Sequence, residues 1–155
     1  MFTIKEMKLR LLQLGRTTEK DFVGCTDDEI QNVKNSQRVK YLPSIYEEFL
    51  STMGRAAGDL FIGTNAFFPD LLRVKETALM LLEDCNFAFQ LPDNVFVLSE
   101  HQGYQFHYFE CNKDVDDPPV WWYIERKTQP EKISESLSDY FEDIIIRLET
   151  TSKRR

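Results

Sequence analysis

Two runs near the middle of the chain, residues 95–100 (Val-Phe-Val-Leu-Ser-Glu) and 104–110 (Tyr-Gln-Phe-His-Tyr-Phe-Glu), constrain the fold most. They read as antiparallel strands joined at Gln102-Gly103, where glycine supplies the positive φ of a tight turn. With those two residues as the loop, Val97 opposes Tyr108, Leu98 opposes His107 and His101 opposes Tyr104. Both faces of this hairpin are largely apolar, so both must be covered by other parts of the chain.

Helices are available for that cover. Thr3 with Glu6 and Thr26 with Glu29 each match a capping box before an apolar stripe, Ile4-Met7-Leu11-Leu14 and Ile30-Val33 respectively. Leu42-Pro43-Ser44-Ile45-Tyr46-Glu47-Glu48-Phe49-Leu50 opens a third helix, with Tyr46, Phe49, Leu50 and Met53 on one face. Gly54 stands where a left-handed cap would end it. Residues 71–84 lack Gly and Pro and are long enough to favour helix over strand. Ser136 with Asp139 caps a last helix carrying Leu137, Phe141, Ile144, Ile145 and Leu148. Residues 59–62 and 120–125 read as further strands, with Pro118-Pro119 at the start of the second. Helices, then strands, then a helix describe one α+β domain, and 155 residues are enough to bury its core unaided.

Charge narrows the function classes. Asp and Glu outnumber Lys and Arg 26 to 19, for a net charge of −7. Such a surface repels phosphates, which disfavours nucleic acid and anionic membranes and favours a basic protein partner. Cys25, Cys85 and Cys111 are odd in number and scattered, which predicts reduced thiols. With no apolar signal core at Met1–Glu6 and no long apolar run, the expectation is a soluble, cytoplasmic protein.

Motifs for catalysis are weak. Glu100, His101, His107 and Cys111 could be combined into a Cys–His nucleophile or a zinc site. The hairpin register sets the two imidazoles several residues apart along the ladder, so a turn histidine, a sheet histidine and a buried thiol are expected instead. Asp114, Asp116 and Asp117 form an acidic turn without the glycine and distal glutamate of a calcium loop. Trp121 and Trp122 are adjacent in a strand and point to opposite faces, so either helices cover both faces or one indole is left partly exposed as an interface anchor. From charge and exposure alone, Glu100, Asp114, Asp116, Asp117, Trp121 and Trp122 are the expected contact residues; no catalytic or metal-binding residue and no cofactor is assigned.

Four segments in order resemble the SUKH superfamily: Leu42-Pro43 through Leu50 with Gly54 beyond it; residues 95–109 around the His101-Gln102-Gly103 turn; Asp117-Pro118-Pro119-Val120 into Tyr123; and residues 133–141 with the Ser136 cap. The match spans about residues 26–148, and it departs where Met53-Gly54-Arg55 replaces an Asn-Gly-type pair. The resemblance implies an α+β fold with a mixed, mainly antiparallel sheet flanked by helices. The expected organisation is this domain at 26–149, an N-terminal helix and connection at 1–25 packed on it, and, from composition, a mobile basic tail at 150–155. It also implies a non-enzymatic protein that binds a partner, most often a polymorphic toxin such as a nuclease, or else a regulatory adaptor with a cellular partner. Nothing in the sequence specifies an oligomeric state.

Overall fold

The computed structural model describes residues 1–153; Arg154 and Arg155, from the expected basic tail, lie outside the described residues. The chain runs α1 (Ile4–Gln13), β1 (Phe22–Val23), α2 (Asp27–Gln37), α3 (Ser44–Met53), β2 (Ala56–Ala57) and α4 (Val74–Asp84). It continues through β3 (Val95–His101), β4 (Gln105–Glu110), β5 (Val120–Ile124) and β6 (Glu131–Ser134) to α5 (Leu137–Lys153). β1 pairs with β2 in a small ribbon, and β3-β4-β5-β6 form the main sheet in that order. The α+β class holds. The mixed sheet does not: every strand pair is antiparallel, because each strand of the main sheet returns directly beside its predecessor rather than through a crossover.

The apolar hairpin is covered on both faces, as its composition demands. On one face the Tyr46 ring of α3 meets Phe96 at 4.9 Å and Phe109 at 5.2 Å, while Phe49 stacks on Phe141 of α5 at 5.1 Å. The other face is closed by α4 and by Phe89, whose ring lies 5.1 Å from that of Tyr123. Such ring pairs each add roughly 1 kcal/mol beyond the area they bury.

The outer edge of β3 is sealed by a side chain. Gln37, at the end of α2, is 0% exposed. Its Oε1 accepts from Val97 N at 2.8 Å, and its Nε2 donates to Val97 O at 2.9 Å and Leu71 O at 3.0 Å. One amide thus serves as the missing strand at that position. Three residues further on, Asn65 and Glu100 exchange backbone hydrogen bonds of 2.9 and 3.1 Å.

Several expectations are corrected. Residues 59–62 form turns, with Phe61 at φ 57°, and the short strand of that region is β2. The apolar run at 71–84 is divided: a 3-10 turn at Asp70–Leu72 precedes α4. β6 was not anticipated, because its exposed Glu131-Lys132 carries little apolar signal. The Val97–Tyr108 pairing holds, but a bulge at Leu98 shifts the register, so Ser99 opposes His107 and His101 opposes Gln105. Gly54 ends α3 in ordinary right-handed geometry (φ −68°); a Cβ there would lie 2.6 Å from Cys25 Sγ, so close approach rather than a left-handed cap selects glycine. Helix α5 continues through Thr150 to Lys153, so that stretch of the expected loose tail is helical.

Candidate functional site

Placed in the fold, Glu100, Asp116 and Asp117 each fasten one element to another. Glu100 is 7% exposed. Its carboxylate accepts from the Asn65 amide and, at 2.9 Å, from Gly103 N, which pins the hairpin turn. Asp116 accepts from Ser44 N at 2.8 Å and Ser44 Oγ at 2.9 Å, capping the α3 N-terminus where Pro43 has no side-chain oxygen to offer. Asp117 accepts from Ser138 N at 2.9 Å and from the Ser138 hydroxyl, doing the same for α5. Charge at a helix N-terminus favours both arrangements. Asp114 alone of the acidic set is exposed without a listener in another element; its own N–H donates to Asn112 Oδ1 at 3.0 Å within the turn.

The tryptophans separate as adjacent strand residues should. Trp121 opposes Tyr108 and is half-buried against the core, whereas Trp122 opposes His107 on the other face. Trp122 Nε1 donates to Gln105 Oε1 at 2.8 Å, and Lys127 Nζ lies 4.5 Å from its ring centre.

Trp122 forms one wall of a groove of about 500 Å³ between the end of the sheet and α5. Gln105 and His107 of β4 make its floor, and Tyr140, Asp143 and Arg147 of α5 its opposite wall. His107 Nδ1 and the Tyr140 hydroxyl share a hydrogen bond of 2.7 Å. Burial, and secondarily Arg147, pushes the imidazole down to about 4, so it is neutral at pH 7. Burial also raises the Tyr140 phenol well above its ordinary range. The groove therefore presents neutral hydrogen-bonding groups, one indole face and one pair of opposite charges. It suits recognition of a side chain and contains no activated nucleophile.

The catalytic combination is not assembled. His101 and His107 line one small hollow of about 170 Å³, but Ser99 and Gln105 share it and Cys111 does not. The Cys111 thiol is buried beyond the far end of β4 and pushed up to about 12 by that burial, the opposite of a nucleophile's requirement. Among the described residues no cluster of three or more His, Cys, Asp or Glu could hold a metal ion. Sequence reasoning missed Gln105, Tyr140, Asp143 and Arg147, because the groove is made by contact between elements far apart in the chain; for the α5 members, the i, i+3, i+7 spacing of 140, 143 and 147 was the available signal.

Residues 27–141 match the model of the SUKH_6 family, described as SMI1-KNR4 cell-wall. The chain belongs to the SUKH superfamily. The match covers the sheet, the groove floor and the helices α2 to α4, and it stops within α5 at Phe141. Membership brings a SMI1-KNR4-like, protein-binding role. No curated protein matches the chain. No helix among the described residues is long and apolar enough to cross a membrane.

Proposed function

We propose that this SUKH protein is a cytoplasmic immunity protein that binds a cognate toxin domain and blocks it by occlusion, without chemistry of its own. The family match over residues 27–141 carries the reading. The net charge of −7 supports a basic partner, such as a nuclease domain whose cleft is built for phosphate. With Glu100 buried and Asp116 and Asp117 each holding a helix N-terminus, the acidic residue free of such a role is Asp114, and we place the contact on it and on Trp122 with its groove neighbours. Trp122 is the anchor: an indole at the wall of a concave site, with a polar tip already bonded, is the residue type that dominates interface energetics.

The reading predicts a toxin reading frame next to this protein's gene, and titration calorimetry against the domain it encodes tests it. A 1:1 complex is expected, weakening as salt rises, with Trp122→Ala costing about tenfold or more in affinity. An adaptor role, which the cell-wall description of the family favours, predicts no complex with that domain and stoichiometric capture of a regulatory protein instead.

A further inference from the structure

On the opposite side of the sheet from the groove, α4 turns an apolar face to solvent. Trp122 and Tyr123 are neighbours in β5; Trp122 looks into the groove, and Tyr123 meets Phe89 on the α4 side. Glu76, Leu79, Met80 and Glu83 follow i, i+3, i+4, i+7 and so share one stripe of α4. Met80 is 58% exposed and Phe87, just beyond the helix, 69%. Together with Phe89 and Leu91 they line a hollow of about 610 Å³ between the helix and the segment after it. Large side chains held out in a cluster of this kind mark a contact surface.

The charges around the hollow are of one sign. Residues 76–94 contain Glu76, Glu83, Asp84 and Asp93 and not a single Lys, Arg or His. Among the described residues none of these four carboxylates is within salt-bridge distance of a cation. Lys75 stands at the Asp93 end of the rim, where it donates to the backbone carbonyls of Gln37 and Asp93 rather than to a carboxylate. Phe87 adds an independent sign. It holds φ 53° immediately after Asn86 at φ 58°, a conformation that a bulky side chain tolerates poorly. Its N–H closes the helix by donating to Leu82 O at 2.8 Å, a position that Gly or Asn would fill with less strain. A strained and exposed phenylalanine contributes nothing evident to the fold.

We infer that this face of α4, with Leu79, Met80 and Phe87 as anchors and Glu76, Glu83 and Asp93 as the rim, docks a basic amphipathic helix of a partner protein. The apolar row of such a helix would fill the hollow, and its flanking Lys and Arg would meet the rim. A flexible thioether among the anchors suits packing against a row of aliphatic side chains. The inference rests on the protein-binding role but not on the toxin reading, and it places a second docking surface away from the Trp122 groove.

The probe is a synthetic peptide of about 18 residues made of Lys and Leu, with Leu at i, i+3, i+4, i+7. A scrambled peptide of equal composition is its control, and fluorescence anisotropy the readout. The amphipathic peptide should bind at least about tenfold tighter than the scrambled one, and Phe87→Asn or Met80→Ser should erase that difference without lowering the melting temperature. Equal binding of the two peptides, or a preference that survives both substitutions, would overturn the inference. So would self-association by sedimentation that Phe87→Asn abolishes, or binding to vesicles of anionic phospholipid that Phe87→Asn abolishes, since each would assign the face to another occupant. None of these outcomes involves the toxin domain, so failure here leaves the immunity reading to its own test.

Discussion

Tyr46 sits in the most legible segment of the sequence, and its ring is where the 3.6-residue period places it, 1% exposed among Phe49, Phe96 and Phe109. Its hydroxyl is buried without a hydrogen-bond partner. The ring therefore stabilises the core while the oxygen opposes it. Tyr46→Phe should leave urea-unfolding stability unchanged or raise it by about 1 kcal/mol, whereas Tyr46→Ala should cost about 3–5 kcal/mol. His107 gives the chain an acid-sensitive point. Its folded value of about 4, against 6.5 ordinarily, means that between those pH values the unfolded chain binds a proton the folded chain refuses. The stabilisation is complete above pH 6.5 and is lost as pH falls towards 4, on the order of 3 kcal/mol in all. Glu29, which Arg55 holds down to about 2, loses its contribution in a lower window, from its ordinary 4.5 downward. His107→Gln should flatten the stability slope between pH 6.5 and 4.5 in unfolding titrations and leave the steeper acid limb in place. At this scale the candidate site was only half legible. Trp122 could be singled out because strand alternation separates it from Trp121. The fastening roles of Glu100, Asp116 and Asp117 were not legible because their partners, Asn65, Ser44 and Ser138, are 35, 72 and 21 positions away.

Elements with their own punctuation were readable, and those defined by a neighbour were not. Thr26 and Glu29 close a reciprocal box at 2.9 and 3.2 Å, and Ser136 Oγ accepts from Asp139 N at 3.1 Å, because capping is local chemistry. β6 exists only by pairing with β5, and the Leu98 bulge arises only when β3 and β4 are laid together. The 22–25 segment is another such case. A Cβ on Gly24 would lie 1.9 Å from Ser51 O, so this glycine is required by the approach of α3, which no local pattern announces. Gln37 is the clearest instance. In sequence it is one more polar residue near a helix end, yet it completes the edge of β3. Gln37→Leu keeps the volume and leaves three buried backbone groups unpaired, which should cost about 3–5 kcal/mol in chemical denaturation. Since β3 would regain an open edge, the variant should also aggregate at lower protein concentration than the wild type in light scattering.

For the whole molecule, the family match, the charge of −7 and two differently built surfaces support the proposed binding role. The Trp122 groove offers hydrogen bonds and one aromatic wall; the α4 face offers exposed apolar anchors within uncompensated carboxylates. Both surfaces flank one sheet whose edge and turn are locked by Gln37 and Glu100, so the scaffold holds them in fixed relation while their side chains remain free to specify a partner. The measurement that bears most directly on this account is an activity titration of the toxin domain that the account predicts to be encoded next to this protein, at concentrations far above the dissociation constant. Blocking by occlusion predicts a linear fall that breaks sharply at one equivalent, with activity restored when the complex is dissociated in high salt. Inactivation that runs to completion at a small fraction of an equivalent, and that persists after separation, would mean catalysis and would contradict the account.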